Sequence, residues 1–161
     1  MKIVDDYKYF VENKKLSHKI TTIFLNPCFH SVVLYRLSSF FYKIKLGILA
    51  KIIWYINRVV FNVDIDYKAN LAGGFMIVHG FGVVIGSGVN SKGRLKVYQG
   101  VTIGGNGAEY RIIDDRKVWM PQIGDNVTLY TDAKLFGPIK IQENSVIKAG
   151  KIVSHDFITE E

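Results

Sequence analysis

The chain has one cysteine, Cys28, and three prolines among 161 residues. A lone cysteine excludes an intramolecular disulfide framework and any zinc site built on several thiolates. No group of His, Cys, Asp and Glu has metal-ligand spacing on a rigid element, so no metal is expected. A secretory leader is not evident, because Asp5, Asp6 and Glu12 interrupt the N-terminal stretch where an apolar core would lie. The longest apolar run, Leu46 to Phe61, contains Lys51, Asn57 and Arg58 and is too short and polar to cross a bilayer. A Walker phosphate loop is absent, and Gly80-Phe81-Gly82 with Gly86 misses the dinucleotide spacing by one residue. These absences point to a reducing, cytoplasmic compartment. With 48% hydrophobic and 22% charged residues, the chain has the composition of a folded protein.

Negative charge is scarce in one region only. The net charge is +7, and residues 1–63 carry all of the excess, with 10 Lys/Arg against 3 Asp/Glu. Residues 64–161 carry 11 of each. Two readings stand: an anionic partner surface, phospholipid rather than nucleic acid, or a helical pair with ordinary solvated lysines. No nucleic-acid module accompanies the basic residues, so no nucleic acid is expected.

The period of the sequence also changes near residue 63. Asn26-Pro27 reads as the N-cap and first residue of a helix. Phe29, Val33, Leu37, Phe40, Phe41 and Ile44 then recur at three- and four-residue steps, which predicts one apolar face running to about Lys45. Gly47 is expected to break that helix. A second helix is predicted from Ile48 to about Phe61, with Lys51, Tyr55 and Arg58 on one side. A weaker amphipathic segment, Ile3 to Lys15, precedes them.

From Ile65 onward an aliphatic residue recurs every six positions: Ile65, Leu71, Ile77, Val83, Val89, Leu95 and Val101. After one interruption the series resumes at Ile123, Leu129, Leu135, Ile141, Ile147 and Val153. This is the hexapeptide pattern of a parallel β-helix, in which three hexads close one triangular coil and the aliphatic residue fills the interior. The expected fold is mainly β, a β-helix of four to five coils over 64–161 behind an N-terminal α-helical region, 1–63. Residues 106–121 are out of phase, polar and charged, and are expected to form a loop extruded from one corner.

Among four histidines, His79 stands apart, because Gly80 follows it and allows close backbone approach. Asp64 lies fifteen residues earlier, near one eighteen-residue coil. An Asp one layer away could hold one imidazole nitrogen and leave the other as a general base. Spacing alone favours the plainer reading, in which Asp64 caps the helix-to-β junction and His79 is a satisfied histidine on the surface.

Several segments then occur in order: Asn26-Pro27-Cys28-Phe29-His30 with Arg36; Asp64-Ile65-Asp66; Ile77-Val78-His79-Gly80 through Gly86; and Gln99-Gly100-Val101-Thr102-Ile103-Gly104-Gly105. From about Asn26 to Val153 the chain resembles the serine acetyltransferase family of hexapeptide acyltransferases. Within it the chain looks most similar to short exopolysaccharide O-acetyltransferases of the colanic acid type. The resemblance implies left-handed winding, a homotrimer with sites between subunits, and acetyl-CoA as co-substrate. It implies His79 as catalytic base and Asp64 as its orienting acid. Gly105, Thr131 and Ala149 match positions lining the pantetheine slot, and Lys134, Lys148 and Lys151 are candidates for the CoA phosphates.

Two departures bear on the acceptor. Serine acetyltransferases carry an acidic residue just before the catalytic histidine, where this chain has Val78. They also carry an Arg-His pair where Trp119-Met120 precede Pro121 here. A zwitterion would lose two charge partners. The expected acceptor is therefore a saccharide or lipid-linked glycan in bacterial surface polysaccharide biosynthesis, with Trp119 stacking on the sugar and Asp114, Asp115 and Arg116 bonding its hydroxyls. The alternatives are serine O-acetylation in cysteine biosynthesis, and a non-catalytic β-helix scaffold. The basic helices are expected to touch the inner face of the membrane.

Overall fold

A computed structural model describes residues 1–107, 110–113 and 115–158. Four helices open the chain: α1 (Lys2–Val11), α2 (Leu16–Leu25), α3 (Pro27–Lys43) and α4 (Gly47–Phe61). Strands, numbered in chain order, then wind into three parallel sheets. The first orders β1 (Val63–Ile65), β3 (Val83–Ile85), β6 (Thr102–Gly104), β11 (Lys134–Phe136) and β14 (Ile152–Val153). The second runs from β13 (Val146–Ile147) through β10 (Val127–Leu129) and β5 (Leu95–Tyr98) to β2 (Phe75–Val78). The third contains β12 (Lys140–Ile141), β9 (Gln122–Ile123) and β4 (Asn90–Ser91). Each strand pairs with the same face of the next coil, so the chain forms a parallel β-helix.

All thirteen hexad residues are buried, none more than 3% exposed. The neighbours of each inward residue along a strand face outward, as the two-residue period of a strand requires. Register recurs every eighteen residues at Val84↔Thr102, Thr128↔Val146 and Gln122↔Lys140. The first coil is longer. Val63 pairs with Val83 and Phe75 with Leu95, each twenty residues on. Asp64 therefore lies opposite Val84, and the eighteen-residue reckoning that brought it to His79 is corrected by two residues.

The segment expected as a loop over 106–121 contains an antiparallel ribbon, β7 (Arg111–Ile113) and β8 (Arg116–Val118), paired Arg111↔Val118. Met120 returns the chain to the coil by packing against Gly86, Gly88 and Gly105, where a Cβ on Gly105 would stand 3.4 Å from its sulfur.

The helical region differs from expectation in two ways. A separate helix, α2, lies where no periodicity signalled one. More importantly, the apolar stripe read on α3 is not its buried face. Phe29 is buried and Val33 half-buried, but Leu37, Phe40 and Ile44 are exposed, while Ser31, Val32, Tyr35, Ser38 and Ser39 turn inward. Gly47 opens α4 rather than breaking α3, which ends at Lys43 with Lys45 in the left-handed region, φ 65°. Asn26 caps α3 as expected, its Oδ1 accepting from the Phe29 N–H at 3.1 Å.

A buried ionic network seats these helices on the first coil. Arg36 of α3 donates to the Asp6 carboxylate of α1 and to the carbonyls of Leu71 and Ala72. Asp6 Oδ1 also accepts from the Phe75 N–H at 2.8 Å. The Tyr35 hydroxyl donates to Ala69 O and accepts from Leu71 N–H. The open end of a β-helix leaves such backbone groups unpaired, and side chains from the helices satisfy them.

Candidate active site

The corner between the second and first sheets organises the site. It contains His79 after β2, Gly100 after β5, Thr131 after β10 and Ala149 after β13. Backbone bonds stack these corners: Gly100 N–H donates to Phe81 O at 2.9 Å, Asp132 N–H to Gln99 O at 3.0 Å, and Gly150 N–H to Thr131 O at 2.8 Å. Parallel coils repeat their corners vertically, so a straight track runs from His79 past Thr131 to Ala149.

His79 has φ 57°, in the left-handed region, three residues before Gly82, whose own φ of 71° recurs at the stacked positions Gly100, Asp132 and Gly150. A histidine there costs about 1 kcal/mol or more, and strain of this kind is concentrated at functional sites. Its ring is exposed to a cavity of about 730 Å³ whose walls include Glu12, Lys14, Asn26, Cys28, Val78 and Lys96. Gly80, the next residue, is buried: a Cβ there would lie 3.0 Å from Val63 Cγ2 and 3.6 Å from Cys28 Sγ. Burial pushes the Cys28 thiol up, while the N–H groups of Gly80 and His79 pull the other way.

Asp64 does not hydrogen-bond His79. Its Oδ1 accepts from Trp54 Nε1 at 2.9 Å and its Oδ2 lies 3.4 Å from Arg58 Nη1, both on α4. The expected Asp64–His79 hydrogen bond is therefore replaced by a helix-to-strand anchor, because the longer first coil carries Asp64 past the corner onto β1.

Thr131 and Ala149 lie on the His79 corner in successive coils. Lys134 and Lys151 stack beside them, Lys134 N–H donating to Lys151 O at 2.9 Å. Lys148 is exposed at the same turn, and the Lys151 ammonium sits 4.6 Å from the Phe157 ring centre. Gly105 is not on this track. It follows the C-terminal end of β6, the central strand of the five-stranded sheet, at the next corner along the coil, against Met120 and the Trp119 carbonyl.

The loop residues are also apart from His79 within one chain. Trp119 is half-exposed and packs 6.0 Å, centre to centre, from Tyr110. Arg116 lines a different cavity, with Lys92, Ile113 and Phe157. Asp115 occupies the ribbon turn with φ 59°. Asp114 lies outside the described residues. Lys14, Lys96 and Glu12 were missed from sequence, because they come from the turn after α1 and from β5. The excess of basic residues near the N-terminus was their only trace.

No family model matches the chain. A serine acetyltransferase of Bacillus subtilis is 35% identical over 127 residues, 79% of this chain and 56% of that protein. A Neisseria gonorrhoeae serine acetyltransferase in complex with serine superposes with a TM-score of 0.82 at 28% identity, covering 96% of this chain and 61% of its own. A Brucella abortus serine acetyltransferase in complex with coenzyme A gives 0.80 at 26%, with the same coverages. The chain is similar to serine acetyltransferases. It spans about half the length of the curated relatives it matches. Superposition at that quality requires the same hand of winding.

These relatives correct the expected acceptor. Those at 33–36% identity carry the name serine acetyltransferase, which overturns the reading of a saccharide acceptor in surface polysaccharide synthesis. Val78 and Trp119-Met120 remove two charges from the motif; Lys14, Lys96 and Glu12 line the cavity at His79, with Glu12 in an exposed ion pair to Arg94 at 3.3 Å.

Proposed function

We propose that this chain transfers an acetyl group from acetyl-CoA to the hydroxyl of serine. The observation that carries this reading is His79, held in a left-handed turn at the head of a straight corner track and opening onto a cavity with charges of both signs. The imidazole takes the hydroxyl proton as the serine oxygen attacks the thioester carbonyl. The tetrahedral intermediate then collapses, the carbon–sulfur bond breaks, and the imidazolium returns its proton to the CoA sulfur. Lys14 and Lys96 are suited to the serine carboxylate, and Glu12 to its ammonium in exchange for the exposed ion pair with Arg94. Thr131 and Ala149 are assigned to the pantetheine arm, and Lys134, Lys148 and Lys151 to the CoA phosphates. Asp64 contributes negative charge on the coil next to an imidazolium at the corner.

We further propose a homotrimer. The Trp119 loop leaves the end of β6 away from the His79 corner, so we assign it to the His79 cavity of a neighbouring subunit. Trp119, Met120, Asp115 and Arg116 then belong to the wall contributed by a neighbour.

The test is release of CoA from acetyl-CoA with L-serine as acceptor, beside His79→Ala. Serine-dependent release lost in the variant is the expected result. Turnover that ignores serine sinks the assignment of the acceptor, and turnover that survives His79→Ala sinks that of the base.

A further inference from the structure

Helix α4 is built inside out for a helix in water. Its inward positions are Ala50, Ile53 and Asn57, and the Asn57 amide donates to Ser31 O of α3 at 3.1 Å. Ser31 and Ser38 of α3 are fully buried. Its outward face is made of large apolar residues: Ile48 is 82% exposed, Ile52 50%, Tyr55 61%, Val59 64% and Val60 63%. The spacing 48, 52, 55, 59 is one helical stripe. The exposed apolar residues Leu37 and Phe40 of α3, and Ile44 just after it, lead to the same turn. Helices that pack through small and polar residues and present aliphatic side chains outward are suited to a lipid environment. A patch of this size on a soluble chain marks an interaction site.

The charge around the patch selects its partner. No Asp or Glu occurs between Asn13 and Val63. Lys43, Lys45 and Lys51 are exposed around the α3–α4 turn, beside Ile44, Leu46 and Ile48. A two-fold pairing of this face with itself would set these lysines against one another. Anionic headgroups would neutralise them while the acyl region receives the aliphatic stripe. Among the described residues no helix is long and apolar enough to cross a membrane, so the hairpin would lie in one leaflet.

We propose that the α3–α4 hairpin docks on an anionic phospholipid surface, with Ile48, Ile52, Tyr55 and Val59 immersed and Lys43, Lys45 and Lys51 at headgroup level. The inference is independent of the acetyl acceptor. It is tested by co-sedimentation of the full chain with vesicles of phosphatidylglycerol and phosphatidylcholine, beside vesicles of phosphatidylcholine alone. The wild type should bind the anionic vesicles, and Ile52→Ser with Val59→Ser should lower binding by roughly tenfold or more without changing the circular dichroism spectrum. Lys43→Gln with Lys45→Gln, at exposed positions, should remove the preference for phosphatidylglycerol even if the serine variant fails to fold. Absence of vesicle binding overturns the proposal, as does binding unaffected by either pair of substitutions. A wild-type assembly that the serine substitutions dissociate in the ultracentrifuge, with no vesicle binding, overturns it in favour of a second copy. Serine-dependent turnover by a protein that ignores vesicles would leave the proposed reaction standing and remove this docking surface alone.

Discussion

Asp6 and Arg36 meet in a two-point ion pair, Nε to Oδ2 at 2.7 Å and Nη2 to Oδ1 at 2.9 Å, with the Asp6 side chain fully buried. The pair joins α1 to α3 and reaches the backbone of the first coil through Leu71, Ala72 and Phe75. Removing Asp6 leaves the largely buried Arg36 charge and the buried Phe75 N–H without their carboxylate. Asp6→Ala should therefore cost about 3–5 kcal/mol, read as a lower urea midpoint. A loss below about 1 kcal/mol would show that water replaces the carboxylate.

His79 is exposed, and its side chain accepts and donates no hydrogen bond among the described residues. Its removal should leave folding intact and cost activity. His79→Ala should lower kcat by about 10²–10⁴ with an unchanged melting temperature. Asp64→Asn should lower kcat less, because Trp54 and Arg58 hold that side chain. If the two variants are equally inactive, the turnover geometry must bring Asp64 to the imidazole.

Cys28 offers a clean probe of the cavity because it is the only cysteine. Burial raises its pKa, so the thiol stays protonated at neutral pH. Its alkylation by iodoacetamide should be slower than that of a free cysteine and speed up with rising pH. Saturating L-serine should slow it further if the acceptor occupies the cavity beside His79. Equal rates with and without serine would place the acceptor elsewhere.

Arg111 anchors the loop ribbon to the C-terminal segment through Asp156, with contacts of 2.6 and 3.1 Å. The guanidinium holds the Asp156 carboxyl below its ordinary 3.8. A lowered folded-state pKa gives stabilisation that is present above the unfolded value and lost as pH falls through the folded one. Amide exchange in β7 and β8, corrected for intrinsic rates, should therefore be unchanged from neutrality down to about pH 4 and rise below it. Asp156→Asn should raise it at neutral pH and remove that acid transition. The pair is largely exposed, so only local opening should change.

The coil was legible because its rule is local and repeated. An interior lined by one aliphatic residue per face writes a six-residue period into the sequence, and Ile65 to Val101 and Ile123 to Val153 obey it on either side of the loop. His79-Gly80 was legible for a similar reason: a turn that admits a left-handed histidine needs a residue without a side chain packed against Val63 and Cys28. The outward stripe of α3 was misread, because periodicity reports that one face differs from the other without saying which is buried. Leu37, Phe40 and Ile44 make a stripe whether they meet a core or a lipid.

The sequence by itself determined the β-helix, its interruption after Gly105 and the candidate base, since each follows from residue types at fixed intervals. Tertiary structure alone decided what surrounds that base. The first coil takes twenty residues rather than eighteen, which moves Asp64 onto Trp54 and Arg58. The folded helices bring Glu12 and Lys14 to a cavity shared with Lys96, more than eighty residues away in the chain. Charge complementarity around a ligand depends on distances in space, and no local period encodes them.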